Sequence, residues 1–76
     1  MLSDEERARQ EPLIRWMASN GLRVDEGIPD PAGVYIQDGR IHLNLFGIDN
    51  NNQLCTVEAE ADLRCEPPEE LRISKR

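Results

Sequence analysis

Asp38-Gly39 lies between two short runs of matching pattern, Val34-Tyr35-Ile36-Gln37 and Arg40-Ile41-His42-Leu43. This dipeptide closes a two-residue hairpin, because both turn positions take positive φ, which Asp tolerates and Gly adopts freely. A turn here sets Gln37 opposite Arg40, Ile36 opposite Ile41, Tyr35 opposite His42 and Val34 opposite Leu43. The apolar pairs then share one face and the polar or amphipathic pairs share the other. A slip of one residue would scramble both faces, so turn and pattern specify the same hairpin, over 33–46.

The rest of the chain must cover the apolar face of that hairpin. Seventy-six residues make a single domain, and with only Trp16, Tyr35 and Phe46 as aromatics the core is thin. Stability of about 3–5 kcal/mol is expected for a scaffold of this size. Ser3 followed by Glu6 forms a capping box, with Asp4 and Glu5 suited to a helix N-terminus. Leu13, Ile14, Met17 and Ala18 form an apolar stripe with Trp16 beside it, and Asn20-Gly21 is a left-handed helix stop. A helix over about 4–20 follows. Pro12 either kinks it or begins a second, better helix after a frayed first segment.

Gly27, Pro29 and Pro31 make 23–32 an irregular connection anchored by Val24 and Ile28. After the polar turn Asp49-Asn50-Asn51-Asn52-Gln53, strict alternation returns. Cys55, Val57, Ala59, Ala61, Leu63 and Cys65 fall on one side, and Thr56, Glu58, Glu60, Asp62 and Arg64 on the other. That predicts a third strand over about 54–65, bulged near Ala59-Glu60-Ala61 because Ala and Glu form strands poorly. Pro67-Pro68 ends it, Glu69-Glu70-Leu71 makes a short helical turn, Ile73 docks, and Ser74-Lys75-Arg76 frays within a tail over 66–76. The expected fold is α+β, one N-terminal helix on a three-stranded antiparallel sheet in the order α-β-β-β.

Composition narrows the function classes. The formal charge of −6 argues against direct nucleic-acid binding and against anionic membranes. The acidic N-terminal residues do not resemble a signal peptide and no apolar window spans a membrane, so a cytoplasmic protein is expected. Two cysteines, Cys55 and Cys65, with the single His42 cannot complete a structural zinc site. On one extended strand the cysteines would lie about 33 Å apart, so free thiols are expected unless the chain bends sharply. No metal, cofactor or phosphate-binding loop is expected. With no activated nucleophile and no paired carboxylates in a cleft, the chain reads as non-enzymatic.

Arg15-Trp16-Met17-Ala18-Ser19-Asn20-Gly21, Asp38-Gly39-Arg40-Ile41 and Glu66-Pro67-Pro68-Glu69-Glu70-Leu71 together resemble short proteins of actinobacterial phages and mobile elements. Pro12 within the helix and a shorter connection between the second and third strands depart from that pattern. The family has no assigned activity, so the resemblance implies an origin and carries over no site residue. Eight arginines against a single lysine fit a genome rich in G and C.

Two surfaces remain as sites. Tyr35, His42 and Asn44 lie on the sheet face that one helix cannot cover, open to a protein partner or to a second copy as a homodimer. Trp16 is a further candidate, either core or interface anchor. The stripe Glu58, Glu60 and Asp62 supports an alternative, an acidic imitation of nucleic acid that inhibits a DNA-binding protein. Its plain counterpart is an edge strand guarded by charge.

Overall fold

In the computed structural model, described for residues 2–76, two consecutive helices precede a four-stranded mixed sheet, and the second of them packs on one sheet face. The helices are α1 (Asp4–Arg9) and α2 (Glu11–Ser19), and the strands are β1 (Tyr35–Gln37), β2 (Arg40–Ile48), β3 (Leu54–Asp62) and β4 (Ser74–Lys75). Short 3₁₀ turns occupy Pro31–Gly33 and Glu69–Leu71. The sheet order is β3-β2-β1-β4, with β4 parallel to β1 and the other pairings antiparallel.

The α+β class is observed, and two features of the expected architecture are corrected. First, the single helix over about 4–20 is two helices: of the two readings Pro12 leaves open, a second helix begins there, but the segment before it is an ordered helix rather than frayed. Ser3 Oγ accepts the Glu6 N–H at 3.2 Å and starts α1, which is one half of the capping box; the Glu6 carboxylate accepts the Ser3 hydroxyl at 3.1 Å rather than its backbone N–H. Pro12 lies at the start of α2 and offers no N–H to the turn before it, so the helix breaks at Gln10. The Gln10 side chain exploits the break: its Oε1 accepts the Ile28 N–H at 2.7 Å and its Nε2 donates to the Ile28 carbonyl at 3.0 Å. One side chain thereby holds the irregular 23–32 connection on the helix junction.

Second, the sheet is four-stranded and mixed rather than three-stranded and antiparallel, because the C-terminal residues do not fray. Ser74 and Lys75 pair with Tyr35 and Ile36, and the Arg76 N–H donates to the Ile36 carbonyl at 2.7 Å. The exposed edge of β1 is thereby satisfied, and the docking of Ile73 against the core brings these residues to it.

The first hairpin has the register its turn requires, Gln37↔Arg40, Ile36↔Ile41 and Tyr35↔His42, with Asp38 at φ 55° and Gly39 at φ 75°. β2 runs on to Ile48 and pairs without interruption with β3, from Arg40↔Asp62 to Ile48↔Leu54. The bulge expected near Ala59-Glu60-Ala61 is absent. Small Ala59 and Ala61 sit across from Leu43 and Ile41, so large and small side chains alternate over the ladder and no extra residue is needed.

β3 ends at Asp62 rather than 65. Beyond it the Leu63 N–H still reaches the Gly39 carbonyl at 3.0 Å, and Arg64 and Cys65 turn to the end of α2. There the helix closes in a Schellman motif. Leu22 N–H bonds to the Met17 carbonyl and Gly21 N–H to the Ala18 carbonyl, with Gly21 at φ 83°. Asn20 is buried, and its Oδ1 accepts Arg64 N–H at 2.6 Å and Cys65 N–H at 2.8 Å while its Nδ2 donates to the Trp16 carbonyl at 2.8 Å.

The core lies between the helices and one sheet face. Leu13, Trp16 and Met17 of α2 meet Val24, Ile28, Val34, Ile36, Ile41 and Leu43. Ala18, placed on the stripe by spacing, is exposed, and Trp16 takes its place inside. Trp16 Nε1–H donates to the Cys65 carbonyl at 2.8 Å, which makes burial of the indole N–H tolerable. No helix among the described residues is long and apolar enough to cross a membrane.

Candidate functional site

Strand alternation delivers one set of side chains to the core and the other to the opposite sheet face. On that second face lie Tyr35 of β1, Arg40, His42, Asn44 and Phe46 of β2, and Thr56, Glu58, Glu60 and Asp62 of β3. Neither helix covers it.

The side chains form a continuous row across three strands. The Arg76 guanidinium carbon sits 3.9 Å from the centroid of the Tyr35 ring. On the hairpin, Tyr35 and His42 stack with centroids 4.8 Å apart and planes 7° from parallel. Their directly opposed register brings the rings together, and a cation over the tyrosine face adds attraction. His42 Nδ1 lies 3.4 Å from Glu60 Oε2. Arg40 then links the two strand carboxylates, with Nη2 3.3 Å from Glu60 Oε1 and Nη1 2.9 Å from Asp62 Oδ1. The Arg40, Glu60 and Asp62 side chains are between 43% and 69% exposed, so water screens these pairs and they organise the surface more than they stabilise it.

Tyr35, His42, Asn44 and Glu58 border a depression of about 130 Å³. That is below the range of about 300–1,000 Å³ typical of small-molecule pockets. A larger open hollow of about 480 Å³ lies elsewhere, between the helices and the C-terminal segment, over Leu13, Ala32, Leu71 and Ile73.

Of the residues singled out in the sequence, Tyr35, His42 and Asn44 are brought together on the open face. Glu58, Glu60 and Asp62 join the same face one strand away. Trp16 is not there. It is 4% exposed, in the core behind the sheet, and is not available as an interface anchor. The two thiols are free, with Cys55 half-buried and Cys65 exposed, and no cluster of metal-binding side chains occurs among the described residues.

Arg40 and Arg76 belong to the row but were not among the candidate site residues read from sequence, although the hairpin register places Arg40 opposite Gln37. Matching Leu43 and Leu45 of β2 to Ala59 and Val57 of β3 would have set the register and placed Arg40 against Asp62. Nothing local to Arg76 points to Tyr35, because the contact depends on the parallel pairing of β4.

Beyond the face, the outer end of β2 and β3 carries apolar side chains in water. Ile48 is 72% and Leu54 54% exposed, and the two are directly paired. They sit beside the turn where Asp49 Oδ1 accepts the N–H groups of Asn51 and Gln53 at 2.8 and 2.9 Å. Comparison with protein-family profiles, curated proteins and solved structures returned no match, so the functional reading rests on this geometry.

Proposed function

We propose that this chain is a small, non-enzymatic accessory protein that binds a protein partner through the helix-free face of its sheet. The observation that carries the reading is the row Arg76–Tyr35–His42–Glu60–Arg40–Asp62, an ordered and partly exposed surface of mixed charge and aromatic character. Arg and Tyr are enriched at protein interfaces because each combines contact area with directional polar groups. His42, the only imidazole, borders a depression of about 130 Å³, small for a substrate pocket, which supports recognition over catalysis. An origin in a phage or mobile element is part of the proposal, supported by the sequence resemblance alone.

Acidic imitation of nucleic acid is the weaker reading. Such an imitation presents free carboxylates to a basic protein, whereas Glu60 and Asp62 already contact Arg40. Glu58 alone of the stripe forms no ion pair among the described residues.

Site-specific photo-crosslinking separates the surfaces. A photoreactive side chain at Asn44, on the open face, is expected to give a discrete heteromeric adduct in the cells of origin. The same group at exposed Arg23, in the connection between helix and sheet, gives none. Equal labelling from both positions overturns the proposal, and an adduct of twice the chain mass replaces the partner with a second copy.

A further inference from the structure

We propose that the free edge of β3, from Thr56 to Asp62, accepts an extended basic segment of the partner as a fifth strand. This deepens the reading of the chain as a binding module by naming the chemistry of what is bound. β3 is a terminal strand of the sheet, nine residues long, and pairs only with β2. The bond from Leu63 N–H to the Gly39 carbonyl fixes the phase of the ladder. In an antiparallel pair, hydrogen-bonded and non-hydrogen-bonded residues alternate, so 61, 59 and 57 direct their backbone groups to β2. The N–H and C=O groups of Thr56, Glu58, Glu60 and Asp62 point outward. No backbone bond outside the ladders engages them among the described residues.

The same residues place their side chains on the open face, so the free backbone groups and the carboxylates share a two-residue period. A strand added here sets alternate side chains beside Glu58, Glu60 and Asp62; Glu58, which forms no ion pair among the described residues, favours lysine or arginine beside it, while Glu60 and Asp62, already in contact with Arg40, add only attraction screened by water. Its other side chains fall beside Val57 and Ala59 on the opposite face. Val57 is 46% exposed, so small apolar side chains suit that side.

Charge also argues against a second copy. The one antiparallel self-pairing that engages all nine residues matches Leu54 to Asp62 and sets Glu58 against Glu58, a like-charge opposition that destabilises a ladder.

A nine-residue peptide of alternating lysine and valine tests the proposal against a control of the same composition with its lysines in one block. Titration into the labelled protein is followed by NMR and amide hydrogen exchange. The alternating peptide is expected to slow exchange at Thr56, Glu58 and Glu60 while leaving Val57 and Ala59 unchanged. Thr56→Pro removes one outward donor without touching the bonds to β2 and should weaken binding about tenfold. Glu58→Gln, which keeps the backbone, should weaken it and flatten its salt dependence.

Equal affinity for the blocked control, or protection without alternation, overturns strand addition. So does a protein that dimerises through this edge before peptide is added. Crosslinking from Asn44 is read independently. If it succeeds while the peptide fails, the open face stands and the added strand falls.

Discussion

Replacing Asn20 by alanine removes the acceptor for two backbone N–H groups and a donor to the end of α2 in one step. The site is buried, so water does not readily take over those bonds. Unsatisfied buried polar groups each cost about 1–3 kcal/mol, and a loss of about 2–4 kcal/mol is expected for Asn20→Ala. Urea unfolding checks this as a lower midpoint at unchanged slope. An unchanged midpoint would mean that solvent reaches the Arg64 and Cys65 amides. The sequence shows Asn20-Gly21 as a helix end because φ preference is local, and Gly21 takes the expected left-handed conformation. It does not show the clamp, because nothing near Asn20 indicates which segment arrives 44 residues later. Trp16 is similar. Helical spacing puts it beside the apolar stripe, and only the Cys65 carbonyl explains how its N–H can be enclosed.

Of the two helices, α1 is held the more weakly. It has no buried residue, and its Arg7–Asp4 and Arg9–Glu5 pairs are exposed. Helices that bury little are marginal, and exposed i,i+3 or i,i+4 pairs add only about 0.2–0.5 kcal/mol each. Native-state hydrogen exchange should therefore show α1 opening at lower free energy than α2, which carries Leu13, Trp16 and Met17 into the core. Equal protection in both helices would show that the Gln10–Ile28 bonds make them one cooperative unit. The elements differ in how far sequence discloses them. The first hairpin is legible to the residue because turn chemistry and alternation agree on a local register. The end of β3 is not, because alternation continues through Leu63 and Cys65 after the pairing has stopped. β4 escapes detection because two residues hold no period, and its pairing depends on Ile73 docking from far along the chain.

Viewed whole, the molecule has a packed half and a projecting half. Its radius of gyration is 12.4 Å, against about 11.4 Å for a compact chain of this length, and its extents of 36 × 27 × 19 Å make it elongated. Substitutions should divide along that line. Met17→Ala, at a fully enclosed position, is expected to cost about 2–5 kcal/mol, a large part of what a domain of this size has. Leu54→Thr, at the half-exposed outer end, should change stability by no more than about 0.5 kcal/mol. Urea midpoints measured side by side decide this, and a large loss at Leu54 would show that the outer ladder is part of the cooperative core. The same division was half legible from sequence. The apolar pattern shows that one sheet face is covered, but not how far along the ladder the helices reach. The two closures of the chain also differ in time. The Asp38-Gly39 turn joins adjacent residues, and such hairpins form in about 1–10 μs. The Asn20 clamp joins groups 44 and 45 residues apart and carries the entropy of that long closure, so it completes after the hairpin. Contacts made late act mainly on the unfolding rate. Asn20→Ala is therefore expected to shorten the life of the folded molecule chiefly through faster unfolding, and substitution at Asp38-Gly39 to slow its formation, which the two arms of a chevron plot separate.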